Sequence, residues 1–131
     1  MFPTIYLWIA IGSALGGVFR FMLGGLVARL AGEAMPWGTL TVNVLGSLVI
    51  GLFAALSASG ERLSSTPEFR TFVMVGLCGG FTTFSSFSLQ TLALIDEGRI
   101  GSACANVLLS VGLCLVAVWL GTLVASIGRH G

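Results

Sequence analysis

Val75-Gly76-Leu77-Cys78-Gly79-Gly80-Phe81-Thr82-Thr83-Phe84-Ser85-Ser86-Phe87-Ser88 is the stretch on which the fold turns. It lies within an uncharged run, Thr71 to Ile95, long enough to cross a bilayer as a helix, for which about 20 mostly apolar residues suffice. Paired glycines are a poor helix interior, and the hydroxyl residues Thr82, Thr83, Ser85 and Ser86 follow them almost at once. The simplest physical account is a spanning helix broken near Gly79–Thr83. A break frees backbone carbonyl and N–H groups that lipid cannot satisfy. Such groups must be buried in protein or coordinate something. A carbonyl cluster suits a cation, and the N-terminus of the half-helix beyond suits an anion. Phe84 and Phe87, interleaved with these hydroxyls past the break, share one face of that half-helix. Ordinary packing explains most such pairs, but it is a weaker explanation beside a polar break.

The rest of the chain repeats the long uncharged pattern. Met1 to Phe19, Ala34 to Gly60 and Ile100 to Gly128 carry no charge. The expected architecture is all-α, one transmembrane domain over 1–131 with helices near 4–30, 38–59, 68–97 and 99–127, the third of them broken. Composition agrees. Of 131 residues 56% are hydrophobic and 8% charged, with mean hydropathy +1.03, whereas a soluble domain carries about 25% charged residues. The chain is too apolar for disorder. A net charge of +1 with no lysine offers no basic field for nucleic acid. The first run is expected to be a span rather than a cleaved signal, because no positive charge precedes it. The connections are short. Thr66-Pro67 reads as an N-cap followed by the first helical residue, and Asp96-Glu97-Gly98-Arg99 as a tight helix–helix turn. Any chemistry is expected inside the membrane or at its faces.

Arginine counting sets Arg62, Arg70 and Arg129 at one face against Arg29, Arg99 and Arg20 at the other. So near a tie fits insertion in both orientations, and equally a chain for which charge counting does not decide. Tyr6, Trp8, Trp37 and Trp119 lie near span ends, as interfacial anchors do. Cys78, Cys104 and Cys114 match no metal or redox spacing, and packing is their expected role. His130 is expected in solvent.

Polar residues inside spans are more telling, since lipid demands a partner or a wet route for each. Thr39 and Asn43 share a face of the second span, and Ser102, Asn106 and Ser110 a face of the fourth. Gly12, Gly16, Arg20 and Gly24 form a stripe on the first, with a GxxxG that permits close backbone approach. A lone Ser or Thr commonly bonds its own helix, and an asparagine often glues helices together. Arg20 is the deepest charge; it either snorkels to the interface or lines a wet vestibule. No Asp, Glu or His sits mid-span, and no phosphate loop, nucleophile–base pair or metal cluster is present. An enzyme is not expected.

Gly79 to Ser88 resembles the signature of the Fluc/CrcB fluoride channels. Gly38-Thr39-Leu40-Thr41-Val42-Asn43-Val44-Leu45-Gly46 resembles that family's second-helix motif, and Gly16-Gly17-Val18-Phe19-Arg20-Phe21 its first-helix motif. Length, span number and motif order extend the resemblance over nearly the whole chain. It implies a dual-topology antiparallel homodimer in a bacterial inner membrane, with two fluoride pores built from both subunits. It implies a structural, untransported sodium ion held by the backbone carbonyls of Gly79 and Thr82. Phe84 and Phe87 match the pore phenylalanines, Asn43 the pore asparagine and Ser110 a hydroxyl of the polar track. Ser86 departs from the usual Thr, Gln90 stands where some members have Glu, Asn106 where Tyr occurs and Cys114 where Ser occurs.

The residues suggest how such a pore works. Fluoride is tightly hydrated, so its water must be replaced by donors: the Asn43 amide and the Thr83, Ser85 and Ser110 hydroxyls, with the electropositive edges of Phe84 and Phe87. Thr39, Gln90 and Asn106 extend the polar track, and Arg20 concentrates anions at the mouth. The expected activity is passive fluoride export that protects the cell from fluoride. A small dual-topology multidrug exporter is the alternative, but it needs an embedded carboxylate. A non-transporting assembly subunit accounts for the small-residue faces but not for the clustered hydroxyls.

Overall fold

The computed structural model describes residues 2–58 and 66–128; Arg62, Arg129 and His130 lie outside the described residues. Among these, every regular element is helical. Helix α1 covers Phe2–Ala31 and α2 covers Trp37–Ala58. The third span opens with α3, Pro67–Thr71, and passes into a π-helical stretch, Phe72–Cys78. It continues as α4, Gly79–Phe81, and then α5, Phe84–Asp96. Helix α6, Ile100–Ile127, completes the chain. Four helical segments are long and apolar enough to cross a membrane: Pro3–Ala31, Trp37–Ala58, Pro67–Asp96 and Ile100–Ile127.

Local chemistry explains the ends. Phe69 N–H donates to Thr66 Oγ1 at 3.3 Å, and Pro67 supplies the first helical residue, where its missing N–H costs nothing. Gly32 and Gly98 take positive φ, +85° and +75°, just past the ends of α1 and α5, a conformation glycine enters without the Cβ penalty. The Gly98 turn is closed by Arg99 N–H to the Leu94 carbonyl at 2.8 Å.

The π-helical stretch was not legible in the sequence, and the two mid-span glycines act differently from their local propensity. Gly79 and Gly80 are helical. Their neighbourhood is a backbone crossing of α1 with the third span. A Cβ on Gly80 would lie 2.6 Å from the Ser13 carbonyl oxygen, and one on Gly12 2.9 Å from the Gly76 Cα. A Cβ on Gly16 would strike the Leu77 carbonyl. Such contact is how small residues hold helices together in lipid, where no hydrophobic force drives helix on helix. Helices α2 and α6 make a second such seam, with Gly51 against the Val118 carbonyl and Gly121 against the Leu48 carbonyl.

The backbone turns extended at Thr82 (ψ 156°) and Thr83 (φ −151°, ψ 109°), and the helix resumes at Phe84. Gly46 of α2 faces this pair, so that any Cβ there would overlap the Thr82 methyl. The span containing these threonines therefore lies directly on α2.

Candidate functional site

Thr83 is the centre of the site. Its backbone is held from α2 by one side chain, forty residues away in sequence: Asn43 Nδ2 donates to the Thr83 carbonyl at 3.0 Å, and Thr83 N–H donates to Asn43 Oδ1 at 2.7 Å. Asparagine suits this position because it offers a donor and an acceptor side by side. The Thr83 hydroxyl accepts from Ser86 N–H at 3.2 Å, which makes Thr83 the N-cap of α5. It also donates to Ser86 Oγ at 3.1 Å and lies 3.4 Å from Ser85 Oγ.

These bonds redirect two donors. In a continuous helix Thr83 N–H would serve the Gly79 carbonyl and Ser86 N–H the Thr82 carbonyl. Here they go to Asn43 Oδ1 and Thr83 Oγ1 instead, which releases both carbonyls from their helical partners. The Cys78 carbonyl, by contrast, is doubly engaged by Thr82 N–H at 3.0 Å and Thr82 Oγ1 at 2.9 Å. Gly79 is exposed on the single chain.

Beyond the cap, Phe84 and Phe87 have ring centroids 5.2 Å apart with planes tilted by 50°. They are not equivalent: Phe87 is 8% exposed and Phe84 76%. A polar seam continues behind them. Thr91 Oγ1 donates to the Phe87 carbonyl at 2.7 Å, Asn106 Nδ2 donates to Thr91 Oγ1 at 2.9 Å, and Ser110 Oγ donates to Asn106 Oδ1 at 3.4 Å. Asn106 is 1% exposed, so the cost of burying its amide is met by these partners. Thr91 was missed by sequence reasoning. The available signal was its place four residues beyond Phe87 and eight beyond Thr83, on one helical face.

Two cavities meet at Thr83, which lines both. One, of about 700 Å³, is bordered by Arg20, Thr39, Ser86 and Gln90. The other, of about 400 Å³, is bordered by Asn43, Phe84, Phe87, Ser110 and Cys114. Gln90 Oε1 is buried, with no hydrogen-bond partner among the described residues. The Arg20 guanidinium likewise has no hydrogen-bond or ion-pair partner among the described residues, and it borders the larger cavity. Asn43, Thr83, Phe84, Phe87 and Ser110 thus come together at the smaller cavity, and Arg20, Thr39 and Gln90 at the larger. Ser85 is exposed beside Thr83. Asn106 lines neither cavity but bonds Ser110, which does. Ser47, Met74 and Cys78 also border the smaller cavity, with no signal for it in their local sequence.

Fold and site together define a small all-helical, multi-pass membrane protein whose in-span polar groups are gathered where the third span meets the second and fourth. Over residues 7–122 the sequence matches the family described as CrcB-like protein, Camphor Resistance (CrcB), and the chain belongs to that family. A protein of Opitutus terrae named fluoride-specific ion channel FluC is 58% identical over 122 residues, covering 93% of this chain and 92% of the relative. Proteins of the same name from Methylocella silvestris and Rhodospirillum rubrum are 56% and 52% identical, covering 92% and 96% of this chain and 92% and 98% of their own lengths.

Proposed function

We propose that this protein is a fluoride-selective channel of the bacterial inner membrane, which lets the anion leave the cytoplasm passively and so confers resistance to fluoride. The observation that carries this reading is the capped Thr83: one residue, clamped by Asn43, borders both cavities at the N-terminus of a half-helix. The positive end of the α5 dipole favours negative charge there. The name carried by the relatives supports the choice of ion, and the reaction is transport rather than catalysis.

Fluoride enters the larger cavity, drawn by Arg20, and passes Thr39 and Gln90 toward Thr83. Its hydration is replaced in turn by the hydroxyls of Thr83 and Ser85, the free N–H of the Asn43 amide and the Ser110 hydroxyl, with the edges of Phe84 and Phe87 beside it. The Ser110 proton, which is directed at Asn106 at the long distance of 3.4 Å, turns to the ion as it arrives. Neutral donors of this kind bind weakly enough to release the anion.

The working unit is an antiparallel homodimer of oppositely inserted copies. Two features support it. Phe84 lies on the surface of the single chain, where a second copy completes its wall. The released Gly79 and Thr82 carbonyls are hard oxygen donors with their helical hydrogen bonds redirected, which fits a sodium ion. One chain offers only this pair, and two copies double it. Gly79 and Thr82 would hold the ion through these carbonyls, and when bound it would supply a fixed positive charge there.

The test is ion efflux from liposomes containing purified protein. Fluoride is expected to leave while chloride is retained; folded protein that passes no fluoride refutes the channel.

A further inference from the structure

The larger cavity collects charge in a chain that has little. Arg20, Glu33, Glu97 and Arg99 all line it, whereas Arg29, Glu68, Arg70 and Asp96, the other charged side chains among the described residues, lie outside it. The four do not balance one another evenly. Arg99 has partners: its guanidinium is 3.7 Å from the Glu97 carboxylate, donates to Ser102 Oγ at 3.3 Å and bonds the Ala34 carbonyl. That last bond laces the α1–α2 connection to the α5–α6 turn and so fixes the rim of the cavity. Arg99 thereby offsets Glu97. Glu33 is left. It follows Gly32, whose positive φ turns the chain out of α1, and it is exposed with no cation paired to it among the described residues. Arg20, within α1 and thirteen residues earlier in the chain, is the cation left to face an arriving anion.

On the reading that this cavity is the fluoride vestibule, we infer that Glu33 sets the rate of anion entry. Its carboxylate opposes the field of Arg20 at the rim. An incoming anion meets the repulsive charge first and the attractive one afterwards, so the vestibule fills more slowly than Arg20 alone would allow. The effect acts through space and is screened by salt. The screening length is about 30 Å at 0.01 M ionic strength and about 3 Å at 1 M. A unit charge roughly 10 Å from the ion path in a water-filled vestibule changes local anion occupancy about twofold, and almost not at all once screened.

The experiment compares fluoride conductance of the wild type and Glu33→Gln in neutral phosphatidylcholine bilayers, with fluoride fixed and ionic strength set by an impermeant salt. Glu33→Gln is expected to raise conductance about twofold near 0.01 M ionic strength and to match the wild type near 1 M. Glu68→Gln makes the same change of charge at a residue outside both cavities and is expected to follow the wild type throughout. A conducting wild type with Glu33→Gln equal or lower at low salt overturns this inference alone, as does a gain that persists at high salt. A wild type that passes no fluoride overturns the channel reading and this inference with it.

Discussion

At the scale of the residue, the site depends on one side chain doing two things to one peptide. Asn43 accepts from Thr83 N–H and donates to the Thr83 carbonyl. Losing either partner leaves a buried backbone group unsatisfied, at about 1–3 kcal/mol. Asn43→Asp removes the donor and sets a carboxylate against a carbonyl and in the path of an anion. Fluoride efflux is expected to fall about tenfold or more, which corresponds to about 1.4 kcal/mol of the barrier, while size-exclusion chromatography still shows the assembled species. An efflux rate equal to the wild type would remove Asn43 from the mechanism. Phe84→Ile tests the exposed ring in the same assay. Isoleucine keeps the apolar bulk and loses the electropositive edge, so flux is expected to fall with assembly intact; unchanged flux would leave Phe84 a packing residue only. At Thr83 the cap and the proposed ion donor are one hydroxyl. Thr83→Ser keeps it and is expected to conduct, whereas Thr83→Val loses both and destabilises the α5 terminus by about 1 kcal/mol.

At the scale of the element, the third span owes its shape to what lies against it. Gly76 and Gly80 allow α1 to cross at backbone contact, and Gly46 makes room for Thr82. Adding volume at the crossing forces the helices apart. Gly16→Val and Gly80→Val are expected to cost about 1–3 kcal/mol or more, read as a lower midpoint of thermal unfolding in detergent. Gly25→Ala is the contrast, because a Cβ there meets nothing within 4 Å. It is expected to leave the midpoint unchanged or slightly higher, since alanine is the better helix former. Equal losses at all three positions would mean that the crossing does not hold the fold. Element ends were the most legible part of the chain. Thr66-Pro67 and Gly98 carry their signals locally, and both act as their chemistry dictates. The paired glycines misled by the same logic. Their low helix propensity is real, but it is outweighed by the packing they permit, and the extended residues are the two threonines beyond them.

At the scale of the whole molecule, the single chain leaves its site open. Gly79 and Phe84 face outward, and the proposed dimer closes over them. If a sodium ion ties the two copies through the released carbonyls, replacing sodium by a bulky organic cation on both sides of the membrane should abolish fluoride flux and weaken the dimer. Full flux without sodium would remove the ion from the assembly. The near-even division of arginines fits the two orientations proposed for the dimer, and it has the same physical origin as the sparse rim charge. With so few cations, no one face dominates, and a single carboxylate such as Glu33 stands out.

The sequence by itself determined the number of spans, their apolar character and the short connections, because each follows from hydropathy and turn chemistry that act over a few residues. It also concentrated hydroxyls in the third span. Only the tertiary structure decided where that span leaves the helix and which residues meet there. Thr83 is drawn out because Asn43, forty residues earlier, captures its N–H. Thr91 joins the polar seam because Asn106 reaches it from α6. Arg99 bonds the Ala34 carbonyl across two distant turns and so holds the rim of the cavity that Arg20 and Glu33 line. In each case a group has more than one possible partner of similar strength, and the choice rests on the packing of whole helices rather than on neighbours along the chain.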